Sequence, residues 1–274
     1  MKRTSLRARL LSAPYIVWAA IFIVVPLFIV VYYAFTDRSG AFSLSNITAL
    51  ADYKDTFIIS VWYSVIATVI TLVIAYPFAY ALSRFGANTQ RMMMLLVMLP
   101  MWMNLLIRTY SWMNILERNG IINNVLAGFG IEPLKMIGTP GAVILGMVYN
   151  YLPYMILPIY TVMSKLDITL LEAADDLGAN AFQRLRTLVI PLSMPGVISG
   201  ITMVFVPSVS TFYISQKLGG GKIMLIGDAI ERRIQQQYNY NLGASISLVL
   251  MVMILISMAI MNRFASDDAE RLVV

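Results

Sequence analysis

A chain of 274 residues that is 59% apolar and only 12% charged, with a mean hydropathy of +0.76, lies outside the range of soluble domains, which sit near half apolar and a quarter charged. Cysteine and histidine are both absent, which removes disulfides, thiolate or imidazole metal ligation, and Cys or His catalysis. The net charge of +6 does not point to nucleic acid, because the basic residues are scattered at the edges of apolar runs, where they set topology and meet anionic lipid headgroups.

At about 20 residues per span the chain has room for about six membrane helices, so the predicted class is an all-α polytopic membrane protein. Residues 1–12 set Lys2, Arg3, Arg7 and Arg9 against Leu6, Leu10 and Leu11, a pattern for a short helix on the cytoplasmic surface. The apolar run 13–35 is too long for a signal-peptide core and lacks a small-residue cleavage pattern, so it reads as a retained first span, kinked at Pro26. A polar external loop, 37–57, leads to a second span over 58–83 that contains Pro77. The basic turn 84–91 lies inside by the positive-inside rule. The third span covers 92–116 and holds Pro100, Asn104 and Arg108; the external loop 117–141 carries an amphipathic piece at 121–129. The fourth span covers 142–163, with Pro153 and Pro158. The fifth covers 195–215, interrupted by Pro207; 216–241 is the longest external loop; the sixth span is 242–261, before a charged inner tail. Six spans put both termini in the cytoplasm. No internal repeat or low-complexity linker divides 1–274, which reads as one domain.

Between the fourth and fifth spans, 167–191 is the longest polar-rich, helix-patterned stretch. Thr169-Leu170-Leu171-Glu172 has the spacing of a capping box. Gly178 tolerates the left-handed conformation that ends a helix. Asn180-Ala181-Phe182-Gln183 repeats the box and opens a second helix, expected to end near Pro191. The first helix would present Leu170, Leu171, Ala173, Ala174 and Leu177 on one side, with Glu172, Asp175 and Asp176 on the other. Such a knob suits a socket on another protein; an amphipathic helix lying on the membrane surface has the same pattern.

Polar residues at membrane depth are the candidates for a solute path. Asn104 and Arg108 stand four apart, on one face of a helix. A charge inside a span is a functional-site hypothesis by default, while an Arg near a helix end also snorkels to headgroups. Tyr149, Asn150 and Tyr154 surround Pro153, and Ser208, Ser210, Thr211 and Tyr213 flank Pro207. Broken helices with polar handles near the midplane are where transporters build substrate paths; the same residue types also serve where membrane helices meet. Aromatic faces among them attract cations.

Several chemistries lack their residues. Gly219-Gly220-Gly221-Lys222 resembles a phosphate loop, yet a Walker A loop needs Gly at Gln216 and Ser or Thr at Ile223, so the chain has no ATP site. There is no H-E-x-x-H, no G-x-S-x-G and no pair of carboxylates within a span, hence no predicted catalytic residue and no metal site. A self-sufficient secondary carrier would need a charged relay or an inverted repeat, and neither is visible.

Glu172-Ala173-Ala174, three residues, Gly178, nine residues, then Leu188-Val189-Ile190-Pro191 resembles the EAA motif of ABC importer permeases. Further stretches resemble the permeases of spermidine/putrescine importers, the PotB/PotH type. These are Tyr76-Pro77-Phe78-Ala79, the run Leu99-Pro100-Met101-Trp102 through Leu105-Leu106-Ile107-Arg108-Thr109-Tyr110, Leu166-Asp167 leading into Leu171 through Ala179, and Leu218-Gly219-Gly220 with Ile226-Gly227. Gln216-Lys217 departs from the acidic residue often found there in that group, so a polyamine path would use Tyr and Trp faces or carboxylates of a paired subunit. The resemblance covers about residues 13–261 and implies a six-span type I importer fold. It implies a coupling helix at 167–191, with Leu170, Leu171, Glu172, Ala173, Ala174, Asp175 and Gly178 docking on the ATP-hydrolysing subunit. It also implies a second permease, two copies of an ABC ATPase that hold the ATP and Mg, an extracytoplasmic solute-binding protein, and a place in the bacterial inner membrane. The substrate is polyamine or, alternatively, another small organic solute.

Overall fold

The computed structural model describes residues 14–271, with side chains through 261 and at 263; the amphipathic helix expected over 1–12 lies outside the described residues. The described elements are almost wholly helical. They are α1 (Pro14–Ala34), α2 (Ser45–Ser83), α3 (Ala87–Trp102), α4 (Leu105–Leu116), α5 (Ile121–Gly128) and α6 (Pro140–Met163), followed by α7 (Ile168–Asp176), α8 (Ala181–Val209), α9 (Tyr213–Leu218), α10 (Ile226–Glu231) and α11 (Tyr240–Arg271). Five helices are long and apolar enough to cross a membrane, and six spans result if the bent pair α3 and α4–α5 forms one. Within the described residues the chain forms two compact units, one from residues up to 55 with 229–252, the other from 56–228 with the segment from 253 onward.

In the first unit, α1 exposes its apolar side chains on every side. Its C-terminal end is held by polar ties: Asn241 donates from Nδ2 to the Thr36 carbonyl at 2.8 Å, and Ser245 Oγ donates to the Ala34 carbonyl at 3.0 Å. In the following loop, Asp37 accepts from the Ser39 hydroxyl at 2.6 Å, and this bond holds its carboxyl below the ordinary carboxylate range.

Proline does not stop the helices where the sequence suggests. A proline ring collides with the carbonyl four residues back and offers no N–H. Ahead of Pro26 and of Pro191 the backbone widens into a π-helical turn, at Ala20–Val24 and Leu185–Val189. The Val25 N–H then reaches the Ala20 carbonyl, and the Ile190 N–H the Leu185 carbonyl. The second helix of the polar segment therefore does not end near Pro191; it runs on as one 29-residue helix to Val209, so the fifth span begins well before residue 195.

In the second unit, α2 buries a stripe of small residues: Ser60, Ser64, Ala67, Thr68, Thr71, Ala75 and Ala79. Small side chains let membrane helices approach closely. Their hydroxyls bond their own helix, Ser64 to the Ser60 carbonyl at 2.7 Å and Thr71 to the Ala67 carbonyl at 2.6 Å, so burial leaves no orphan group. α6 and α8 meet at Gly196 and Gly200, where added side chains would strike the α6 backbone at Pro158 and the Met155 side chain. One core gathers Met155, Ile159, Met163, Val189, Val197 and Val204; a second gathers Val143, Met147, Leu116, Ile214, Leu218 and Leu225. Polar cross-links join helices distant in sequence, Tyr76 to Ser193 and Tyr160 to Gln90, each at 2.9 Å.

The third span differs from its prediction. Instead of one helix over 92–116, α3 and α4 meet at a 92° bend. Met103 and Asn104 are extended, with ψ of 145° and 132°, and Asn104 caps α4 by accepting from the Leu106 N–H at 2.7 Å.

The loop after α5 is clamped by Asn123, which is 1% exposed. Its Nδ2 donates to the carbonyls of Glu117 and Leu134 at 2.9 and 3.0 Å, and its Oδ1 accepts from the Leu134 N–H at 2.8 Å. Asn123→Leu orphans these backbone groups at about 1–3 kcal/mol each. Limited proteolysis should then cut residues 117–138 several-fold faster than in the wild type; unchanged cleavage would show that the clamp is dispensable.

Candidate functional site

Two clusters hold the candidate residues. The first is the polar elbow joining α6 to α8. Its first helix is capped by Asp167 and not by Thr169: Ile168 is already helical, and Asp167 Oδ1 accepts from the Thr169 N–H at 3.0 Å. The Thr169 N–H, and next its hydroxyl, hold the Asp167 carboxyl below the ordinary range. At the far end Gly178 adopts φ +78°, with the Gly178 N–H on the Asp175 carbonyl at 2.9 Å and the Ala179 N–H on the Ala174 carbonyl at 3.0 Å. These two bonds make the Schellman closure that an L side chain resists. The second capping box forms in full, Asn180 Oδ1 accepting from the Gln183 N–H at 2.9 Å and Gln183 Oε1 from the Asn180 N–H at 2.8 Å.

Across the Gly178 hinge, Arg184 Nη1 donates to both carboxylate oxygens of Asp175, at 2.8 and 2.5 Å, fixing the angle between α7 and the start of α8. The expected apolar face divides. Leu171 turns inward and joins the core with Met163 and Val189, rooting α7 in the membrane helices. Leu170 is 47% and Leu177 89% exposed, and beside them stand Ile168 and Phe182, also exposed. Glu172, Ala173, Asp175 and Gly178 are exposed, and Ala174 is half-buried. The result is a capped elbow, rooted at Leu171, with an apolar and acidic exposed surface.

The second cluster lies where α4, α6 and the end of α8 converge. Asn104 and Arg108 do not share a helix face. Asn104 is the exposed cap at the bend, while Arg108 is 8% exposed and its Nε and Nη1 have no acceptor among the described residues. Asn150 is also buried; its Nδ2 donates to the Gly146 carbonyl at 2.7 Å and its Oδ1 has no partner among the described residues. Tyr151 donates to the Pro207 carbonyl at 3.2 Å and meets Tyr154 edge-on, centroids 6.4 Å apart. Tyr149 packs edge-on against Trp112, with centroids 5.3 Å apart.

The helix breaks after Val209. Ser208 is fully buried and bonds the Val204 carbonyl, so it faces the core; Thr211 is also buried, whereas Ser210 is exposed. Gly227 seats against this break, where an added side chain would lie 2.5 Å from the carbonyls of Ser210 and Thr211. Ile226 beside it donates its N–H to Ser60 Oγ at 2.8 Å. Tyr213 opens α9 and meets Tyr110 edge-on, centroids 6.3 Å apart. Tyr151, Trp112, Tyr110 and Lys217 were not among the sequence candidates. Aromatic residues are common in membrane helices, and only the bend between α3 and α4 brings Tyr110 to α9. Among the described residues no group of carboxylates can hold a metal ion.

Residues 75–266 match the family described as binding-protein-dependent transport system inner membrane component. The chain is 38% identical over 226 residues to the spermidine/putrescine transport system permease protein PotB of Haemophilus influenzae, covering 78% of each chain. It is 35% identical to PotB of Escherichia coli K12, covering 78% of this chain and 82% of that one. In structure it is similar to a bacterial ABC transporter involved in the import of the acidic polysaccharide alginate, with a TM-score of 0.77 over 95% of this chain and 96% of that one; at 16% identity that likeness concerns the fold alone.

Proposed function

This chain belongs to the family of binding-protein-dependent transport system inner membrane components, and on that premise we propose that it forms part of the path by which spermidine and putrescine enter the cell. It is a multi-pass inner-membrane permease subunit of an ABC importer, served by an external binding protein, and in this family the ATPase is a separate subunit. The polyamine assignment is carried by the identity to PotB proteins over about four-fifths of the chain.

In this reading the complex contains a second permease and two copies of the ATPase, and both termini lie in the cytoplasm. The elbow is the coupling element: Leu170, Glu172, Ala173, Ala174 and Asp175 meet the ATPase, Leu171 roots them in the span core, and Gly178 sets the turn. Motion of the ATPase pair tilts α7, and Leu171 passes the displacement to α6 and α8. The path runs along Arg108, Tyr149, Asn150, Tyr154, Ser210, Thr211 and Tyr213, with Asn104 at the bend and Ser208 supporting from behind. A cation in low-dielectric surroundings is well served by tyrosine faces and carbonyls freed at helix breaks.

The test is ATP-dependent uptake of labelled putrescine and spermidine into proteoliposomes holding the complete importer and its binding protein. Saturable uptake that disappears without the binding protein is the expected result. Uptake of a different organic solute, with neither polyamine carried, would overturn the substrate.

A further inference from the structure

The Lys217 ammonium lies over two aromatic rings at once, 5.2 Å from the Tyr110 centroid and 5.7 Å from that of Tyr213. The two rings stand nearly perpendicular, at 79°, and form two walls of a cage. The cage is built and not incidental. α9 is pinned by Ile214 and Leu218, both buried in the core against Gly146 of α6, where an added side chain would collide with each of them. Tyr213 and Lys217, four residues apart, therefore share the adjoining, half-buried face of α9. Tyr110 comes from α4, beyond the 92° bend, and is 42% exposed, so the cage lies at the surface of this chain and is not closed over by it.

Lysine's side chain is an ammonium on four methylenes. Putrescine, and the aminobutyl arm of spermidine, present the same group on the same length of chain. A cage that holds one holds the other, because ring faces attract the ammonium charge and the methylenes lie along apolar surface. Resting on the polyamine reading above, we propose that Tyr110 and Tyr213 form an alkylammonium subsite of the transport path, filled at rest by Lys217 and taken by the leading ammonium of the substrate when Lys217 swings out. Lys217 then acts as a tethered competitor. It keeps the subsite closed to stray cations and yields only to a substrate delivered at high local concentration by the binding protein.

The experiment uses the complete importer in nanodiscs without the binding protein, with labelled putrescine and labelled tetramethylammonium as probes in equilibrium binding. Lys217→Ala empties the cage and should tighten both by at least about fivefold. Lys217→Arg keeps a cation between the rings and should stay near the wild type. The triple variant K217A/Y110L/Y213L separates the cage from simple loss of a positive charge: it should fall back to the wild-type level. Thermal unfolding and recovery of the assembled complex check folding in each case. Binding by Lys217→Ala within twofold of wild type, or a gain that survives in the triple variant, would overturn the proposal. Absence of polyamine uptake by the wild-type importer sinks the substrate reading instead, and the tetramethylammonium arm still decides whether the cage takes an alkylammonium.

Discussion

Glu172→Lys should reduce ATP-driven uptake and substrate-stimulated ATPase activity to background while the protein remains in the membrane in normal amount. Glu172 is exposed on α7, and its neighbour Leu171 is buried in the span core. The substitution therefore leaves the root of the elbow untouched and reverses the charge of the surface that, in the proposed function, meets the ATPase. Disturbing a hydrogen-bonded charge at a buried interface costs about 2–5 kcal/mol, so docking should weaken by about thirtyfold or more. The measurements are uptake, ATPase activity with and without loaded binding protein, and thermal unfolding of the purified complex. A variant that keeps stimulated ATPase activity would remove the elbow from the coupling step. A loss of activity together with a lowered unfolding temperature would show that Glu172 supports the fold.

Gly196→Val should unfold or strip the protein from the membrane, whereas Gly200→Ala should be tolerated. The sequence treats the two glycines alike, one turn apart on α8. The structure does not. A β-carbon at Gly196 would stand 2.8 Å from the Pro158 carbonyl oxygen and 3.1 Å from the Ile159 α-carbon, both backbone atoms of α6 that cannot turn aside. At Gly200 the nearest atom is Met155 Sδ at 2.6 Å, near the end of a flexible side chain. Overpacking against rigid neighbours costs about 3 kcal/mol, a large share of the stability of a domain, and the valine branch adds to it. Thermal unfolding in detergent and the yield of assembled complex distinguish the pair. Equal behaviour of the two variants would mean that the α6–α8 seam is looser than its geometry.

The elbow was legible in the sequence because its signals are local. A cap needs a side-chain acceptor beside free N–H groups, and a helix end needs a residue that bears positive φ; Asn180, Gln183 and Gly178 supply these within a few residues. One error, in the choice of cap, has the same scale; the other, the helix that does not stop at Pro191, does not. Asp167 and Thr169 both qualify as caps, and the chain uses the earlier one, which adds Ile168 and Thr169 to the first turn. Which side of α7 faces inward was not legible, since Leu170, Leu171 and Leu177 are equally apolar; only packing against Met163 and Val189 selects Leu171.

Composition and periodicity alone determined that the chain is a set of membrane helices, roughly where the first, fourth and sixth lie, and that a capped polar elbow interrupts them. Those features rest on hydrophobic transfer and on short-range hydrogen bonding, both written into consecutive residues. The tertiary structure decided the rest: the bend at Met103–Asn104, the helix that survives Pro191, the buried Arg108, and the ring pair that holds Lys217. Each depends on how strain or charge in one segment is relieved by a neighbour far away in the chain, and no window of sequence contains both halves of that balance.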